Sequence, residues 1–537
     1  MDASKDSNTG APEPPPRRTL PWRQLILLLL LGAGAFASWY GVARLREQLA
    51  FESFRVEVDG AEPVPVTRVR LRGHDAYPAY FLLLHGYVAN RSQLLHCGEV
   101  LAAADADVYI LDLPGRGDHT GRTSVRPLAG PTATMPTPRE NEAALAVIRY
   151  VERTYGVPPD RWVLLGHSTG GGVALDVARQ IRPAATVSLA GLARPVLPAK
   201  PPNLLLITAR LEIPPLRRAA DRMYERARAG NARRQEFLAV HSSLPFHSSV
   251  QAAVIEWVNR VLPLAGLAPP PHFNELLLLL EGSTLFFLAA IFWPLSGLAG
   301  WALTREPYGE VVPETEVSLW SSWYLGGYAV VAGAAAVSAL ALLDWRGWPR
   351  PLSFLRLADG DYLASVLLLV TVWLVPMLRR HPWVRSWRET GRKIAVALGL
   401  VAYLLLVGGG FLTWQLYDIW PTPGRFGRAL LLTLLLLPYA LGEELLIRTS
   451  TKQVGGRPLG VRLIWRLGLL AAIFYGAGAL GSGAGMLLLM VMPILVLSLV
   501  QHFLSEALYR SLGSAYAAAV FNAVLLGWFI ATVFPLR

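Results

Sequence analysis

Val163-Leu164-Leu165-Gly166-His167-Ser168-Thr169-Gly170-Gly171-Gly172 runs from an apolar strand-like segment through a glycine-flanked bend into a helical stretch, Val173 to Gln180. Glycine is required at 166 and 170 because a serine on a strained strand-to-helix turn leaves no room for larger side chains against the neighbouring backbone. The bend lifts the Ser168 hydroxyl out of the sheet and sets the Thr169 amide at a helix N-terminus. One turn thus offers both a nucleophile and a donor to a developing oxyanion.

Upstream, Tyr80-Phe81-Leu82-Leu83-Leu84-His85-Gly86-Tyr87 reads as a buried strand ending in His-Gly. There the Tyr87 amide is the second candidate oxyanion donor, with Gly86 allowing close approach. Val108 to Leu111 is a further strand, running into the Pro/Gly turn Asp112 to Gly117. Between Phe51 and Leu264 such strands alternate with Ala-rich helical stretches, the pattern of a mostly parallel sheet with flanking helices. A serine nucleophile needs an imidazole base and an acid to fix its tautomer, and where the serine sits on such a strand-to-helix elbow the chain order is Ser, acid, His. Glu212 follows the strand Pro202 to Thr208 and is the candidate acid. His241 follows the predicted last strand, Glu236 to Val240, and is the candidate base, with His247 as the alternative. Only a short connector separates the strand Ala185 to Leu189 from that at Pro202, so the sequence predicts an uncapped, open site.

Over Leu71 to Leu262 the chain resembles the α/β-hydrolase superfamily, nearest its compact serine-hydrolase and lysophospholipase-like members. The resemblance implies Ser168 as nucleophile, His241 as base, Glu212 as acid, and Tyr87 and Thr169 as oxyanion donors. It departs from the commoner pattern in placing glutamate where aspartate is usual. His85 and His167 belong to the motifs as structural neighbours.

The rest of the 537 residues is of another kind. Hydrophobic residues make up 53% of the chain and charged residues only 16%, too apolar for a purely soluble protein. Residues 1–21 are polar and Pro-rich and predict a disordered tail. Residues 22–43 predict an uncleaved membrane anchor, with Trp22, Trp39 and Tyr40 at its ends and Arg17, Arg18 and Arg23 before it. After the hydrolase region at 51–264 and a Pro-rich linker at 265–275, residues 276–537 predict an all-α membrane domain of about eight spans. The net charge of +12 lies in short connectors, which excludes a nucleic-acid partner and sets topology. Arg379, Arg380, Arg385, Arg388, Arg392 and Lys393 in one connector, and Arg448, Lys452, Arg457, Arg462 and Arg466 in another, fall on the same side as the N-terminus. By the positive-inside rule that side is cytoplasmic, and the hydrolase region faces outside a plasma (inner) membrane. The single cysteine, Cys97, excludes an intrachain disulfide and reads as a small buried hydrophobe, and no cofactor or metal motif is present.

Glu443, Glu444 and Arg448 place two carboxylates and an arginine at the end of a membrane helix, where charge is costly unless paired or used. A Glu444–Arg448 ion pair at helical spacing is the simple reading. The spacing also resembles the EExxxR motif of the CAAX prenyl protease and bacteriocin-processing family, over Leu430 to Phe534. The family's later FxxxH and HxxxN motifs correspond to Phe474-Tyr475-Gly476-Ala477-Gly478 and Ala518-Ala519-Val520-Phe521-Asn522, which lack both histidines, so the resemblance implies a degenerate scaffold of that fold. His502 is the one histidine placed to substitute.

Three functions follow in order: a membrane-anchored serine hydrolase acting on a small-molecule, lipid or peptide substrate; an intramembrane glutamate-dependent peptidase; and a non-enzymatic transport or immunity protein with a hydrolase-fold binding domain.

Overall fold

The computed structural model describes residues 21–74, 76–124, 138–191, 201–212, 214–227, 231–303, 322–380, 387–415, 419–454, 458–479 and 490–537. The tail predicted over 1–21 falls almost wholly outside them. Elements in chain order begin with helix α1 (Trp22–Arg46). Strands and helices then alternate: β1 (Leu49–Val56), β2 (Val64–Leu71), β3 (Tyr80–Leu84), α2 (Leu95–Ala103), β4 (Asp107–Leu111), α3 (Pro138–Tyr155), β5 (Trp162–His167), α4 (Thr169–Ile181), β6 (Ala185–Leu189), β7 (Leu204–Ala209), α5 (Pro214–Ala227), β8 (Ala232–Phe237) and α6 (Ser248–Val261).

The strands form one sheet in the order β1-β2-β4-β3-β5-β6-β7-β8, parallel from β4 to β8 and antiparallel where β2 meets β1 and β4. This is the α/β-hydrolase fold. Alternation along the central strands decides which helix layer each side chain meets. Phe81, Leu83, Val163 and Leu165 pack with α2 and α6, whereas Leu82, Leu84, Trp162 and Leu164 pack with α3 and α4. Chain order reverses between β3 and β5, and ligands bind such sheets beyond the carboxyl ends of strands at that point.

The remaining helices are α7 (Phe273–Leu303), α8 (Ser322–Trp345), α9 (Gly360–Arg380), α10 (Trp387–Tyr403), which continues through a π-turn at 404–408 into α11 (Gly409–Gln415), α12 (Pro423–Val454), α13 (Pro458–Ala479), α14 (Val491–Leu512) and α15 (Ala515–Val533). Among the described residues seven helical segments, α1 included, are long and apolar enough to cross a membrane, and Gly360–Pro376 is a shorter apolar one. Close packing uses small residues. A Cβ on Gly527 of α15 would stand 2.8 Å from the Thr433 backbone nitrogen of α12. The Gly408-Gly409-Gly410 run lies at the π-turn, and of the three only Gly409 meets a neighbour, Ile419.

α7 begins at Phe273, inside the stretch 265–275 that the sequence predicts as a linker. Its first turns are paid for by the hydrolase domain: Phe273 and Leu277 join the α2/α6 core, and Asn274 and Glu281 meet His96 of α2 and Arg46 of α1. The last strand also differs from its prediction. β8 is Ala232–Phe237, not Glu236 to Val240, because an edge strand carrying Arg233 and Arg234, paired to Glu256 and Asp221, shows no apolar run.

Candidate active site

Ser168 closes β5 at φ 55°, ψ −118°, a conformation that L-residues avoid unless their surroundings enforce it. Enforcement comes from its backbone N–H, which donates to the Leu189 carbonyl of β6 at 2.8 Å, and from the packing of the bend. A Cβ on Gly166 would stand 2.0 Å from the Gly170 carbonyl oxygen, and one on Gly170 2.0 Å from the Leu84 carbonyl oxygen. On the other side, a Cβ on Gly86 would lie 3.3 Å from the Ser168 Cβ, so the loop carrying Tyr87 runs directly over the nucleophile position. Thr169 opens α4, where free amides and the helix dipole favour negative charge.

Glu212, in the loop after β7, is buried, and His241 opens a short 3₁₀ turn (His241–Phe246) after β8. His241 Nδ1 donates to Glu212 Oε2 at 2.6 Å, which fixes the ring so that Nε2 carries the lone pair. That Nε2 is buried, and no hydrogen bond joins it to Ser168; contacts of this kind often tighten only with substrate bound. His167 brings the pair to the elbow: its Nε2–H donates to the His241 carbonyl at 2.9 Å, with the two rings 5.0 Å apart. Burial, reinforced by the neighbouring His241, pushes the His167 imidazole down to about 3, so it stays neutral and keeps that donor in place. The alternative base, His247, ends the 3₁₀ turn and caps α6 through its backbone carbonyl; among the described residues no carboxylate pairs with its ring.

His85 is likewise pushed down to about 3, chiefly by burial. Its Nδ1–H donates to the Gly86 carbonyl at 2.9 Å and its Nε2 accepts from the Leu113 amide at 3.0 Å, which ties the Tyr87 loop to the β4 loop. A second tie had no local signature in the sequence. Arg116, wholly buried, donates from Nε to the Tyr87 carbonyl at 2.7 Å and from Nη1 to the Pro114 carbonyl at 2.8 Å. Its partner lies 29 residues away, beyond the reach of any spacing rule.

The open site predicted from the short connector after Leu189 is only part of the picture. Residues 192–200 lie outside the described residues, but the Tyr87 side of the site is roofed by the helical half, α7 to α15. The Tyr87 ring packs on Ala358, Val88 joins the core of α8, α9, α12 and α15, and Ser168 is only 3% exposed.

Glu443, Glu444 and Arg448 sit on α12 in a buried ionic network. Arg448 Nη2 donates to Glu444 at 3.1 Å, and Arg462 of α13 also pairs with Glu444. Arg466 grips Glu443 through two hydrogen bonds of 2.8 Å, and Arg448 pairs further with Glu506 of α14. Asn522 donates to Glu444 at 2.7 Å and Gln501 accepts from Arg466 at 2.7 Å. His502 is buried nearby, and among the described residues its Nδ1 has no hydrogen-bond partner. Among the described residues no group of three His, Cys, Asp or Glu is arranged to hold a metal.

Residues 77–238 match the family described as "Serine aminopeptidase, S33", a span that includes Ser168 and Glu212 and stops three residues before His241. A bacterial heroin esterase is 16% identical, with 46% of this chain and 92% of that one covered and a TM-score of 0.33. An esterase from Pyrobaculum calidifontis is 16% identical over 47% of this chain and all of that one, TM-score 0.33. A bacterial esterase of the hormone-sensitive lipase family is 17% identical over 46% and 99%, TM-score 0.31. No curated protein matches the chain. The sheet order, the strained serine elbow and the family match together make this chain a serine hydrolase of the α/β-hydrolase fold.

Proposed function

We propose that the chain is a membrane-anchored serine hydrolase that cleaves an ester, thioester or peptide bond through an acyl-enzyme, with Ser168 as nucleophile, His241 as base and Glu212 as the acid that orients it. The observation that carries this reading is the 2.6 Å Glu212–His241 pair held beside the Ser168 elbow by His167. Ser168 Oγ attacks the substrate carbonyl carbon while His241 Nε2 takes its proton. The carbonyl oxygen, now an oxyanion, is met by the amides of Tyr87 and Thr169. Collapse breaks the scissile bond, and His241 returns the proton to the departing alcohol, thiol or amine. Water, deprotonated by the same imidazole, then attacks the acyl ester, releasing the acid and restoring Ser168. The family match favours a peptide as one substrate to test beside simple esters.

The two carboxylates of α12 are each neutralised by arginine, which leaves neither as a base for water; this favours the serine reading over an intramembrane peptidase. Sidedness belongs to the same proposal. The α12 and α15 ends near Arg425 and Phe534 adjoin the hydrolase domain, whereas Glu444 lies 19 residues further along α12, roughly 28 Å by the helical rise. Arg448 near the far end of α12, and Arg379 and Arg388 at the far end of α9 and the start of α10, therefore lie on the face opposite the hydrolase domain, which the positive-inside rule makes cytoplasmic.

The test is labelling by a fluorophosphonate probe in intact and permeabilised cells. Wild type labels in both, Ser168→Ala labels in neither, and Glu444→Ala labels like wild type. A folded wild-type protein that takes no label beside a reactive control serine hydrolase sinks the proposal.

A further inference from the structure

Among the described residues, the membrane half also meets the hydrolase domain at the loop after β4, next to the groups that hold the Tyr87 loop. The Gly115 carbonyl, in the loop after β4, accepts two hydrogen bonds from it: from Arg425 Nη2 of α12 at 2.6 Å and from the Leu536 amide at 2.8 Å. Thr123 N–H in turn donates to the Leu536 carbonyl at 3.0 Å. Gly115 has φ +79°, and a Cβ there would stand 2.7 Å from the Leu536 oxygen, so only glycine admits this approach.

Residues 535–537 are held on their other side by the loop before α9. Leu536 bridges Leu357, the Ala358 amide donates to the Pro535 carbonyl at 2.9 Å, and the Arg537 amide donates to the Arg356 carbonyl at 2.8 Å. Arg425 also binds the Ala531 and Phe534 carbonyls, at 2.6 and 2.8 Å, closing the end of α15. One residue beyond Gly115, Arg116 holds the Tyr87 carbonyl, and its guanidinium lies 5.4 Å over the Tyr87 ring, which packs on Ala358. The Tyr87 loop is thus held through its carbonyl by Arg116, the residue next to the Gly115 carbonyl that Arg425 and Leu536 bind, and through its ring by Ala358.

We propose that Arg425 and the Leu536 backbone are positioning residues for the hydrolase site: through Gly115 and Arg116 they set the Tyr87 amide, so that the soluble and membrane halves form a single catalytic unit. This rests on the reading of Tyr87 as an oxyanion donor. The physical ground is that such a donor works only at hydrogen-bond distance from the oxyanion itself, and loops left to themselves do not hold that geometry. A mere tether has no need to end on the carbonyl adjacent to Arg116.

The experiment uses the full chain in detergent with a short soluble ester. Arg425→Met removes the side-chain donors and Leu536→Pro removes the amide donor; Arg260→Met, on the exposed face of α6, is the control. Expected are a fall in kcat of about 10- to 100-fold in the first two variants, less than the loss of a whole oxyanion donor, an unchanged KM, and an equal slowing of fluorophosphonate labelling. Folded variants with wild-type kcat and labelling rate overturn the coupling and leave the serine hydrolase reading standing. No labelling of wild type defeats both. Should the variants not fold, hydrogen exchange on wild type decides: the phosphonyl adduct at Ser168 should slow exchange at 356–358 and at the amides of Leu536 and Arg537 as well as at 86–88, and protection confined to 86–88 overturns the coupling.

Discussion

At the scale of single residues, the site depends on groups kept in one protonation state by burial. His85 and His167 are each pushed down to about 3 in the folded chain, against about 6.5 unfolded. Below pH 6.5 the unfolded state therefore binds protons that the folded state refuses, so stability is lost as pH falls from 6.5 towards 3 and is unaffected above that window. At pH 5 the penalty is about 2 kcal/mol for each histidine, since one pK unit is worth roughly 1.4 kcal/mol. Melting of the hydrolase domain followed by tryptophan fluorescence should show Tm falling from pH 7 to pH 5, less steeply in His85→Gln. Glu212 makes a separate prediction. Glu212→Gln keeps the shape of its pair with His241 but favours the wrong tautomer, and kcat should fall by about 10³- to 10⁴-fold with little change in KM or Tm. His247→Ala should leave kcat near wild type, and a loss as large as that of His241→Ala would move the base to His247.

At the scale of elements, α1, α2 and α7 meet in a buried polar knot. Arg46 binds Glu99 through Nε at 2.8 Å and through Nη2 at 2.5 Å, and reaches Glu281 at 3.0 Å, while His96 joins Glu281 at 3.2 Å. Burial pushes the Glu99 carboxyl up to about 7, against the pull of Arg46. Arg46→Met strands Glu99 and leaves Glu281 with His96 alone, and removing one partner of a buried pair costs about 3–5 kcal/mol. Because the folded pKa of Glu99 is raised, the cost grows as pH rises through 7: the Tm deficit of Arg46→Met should be larger at pH 8 than at pH 6. An equal deficit at both would show the knot to be insensitive to Glu99 ionisation. The same elements show what was legible in sequence. β3 to β7 are buried but for Tyr80 at the start of β3, so their apolar runs mark them within a residue or two. β8 and the β1–β2 hairpin expose one face or edge, and their mixed arginines, glutamates and threonines hide the strand period. The first turns of α7 were hidden for the opposite reason: Asn274 looks like linker polarity and Glu281 like a stray charge until His96 and Arg46, far back in the chain, are seen to satisfy them. In the site, the elbow was local and readable, and the 2.6 Å approach of Glu212 to His241 rests on two strand-end loops that a chain-order rule reaches. Arg116, Arg425 and Leu536 act across 29 to more than 400 residues, through backbone carbonyls that carry no side-chain signature.

At the scale of the whole molecule, the descriptions converge on one polarity. The Gly115–Leu536 clasp, the Arg46 knot and the exposed Trp345, Trp348 and Phe354 lie at the hydrolase end of the helices, and the arginine-rich connectors at the other. Aromatic side chains at that level suit a membrane–water interface, which would place the Ser168 elbow close to the headgroup layer. The chain supplies its own background for testing this. Cys97 is its single cysteine, buried in the α2 core, and burial pushes its thiol up to about 12, so it should resist maleimide in the folded protein. Cysteines introduced one at a time then report sidedness alone. With a membrane-impermeant maleimide on intact cells, Asp160→Cys on the hydrolase domain and Trp348→Cys should label, and Arg388→Cys should label only after permeabilisation. Labelling of Arg388→Cys in intact cells with Asp160→Cys protected would invert the topology and put the hydrolase site in the cytoplasm. Labelling of Asp160→Cys and Trp348→Cys on opposite sides would break the shared polarity, and with it the physical basis for a site built jointly by the two halves.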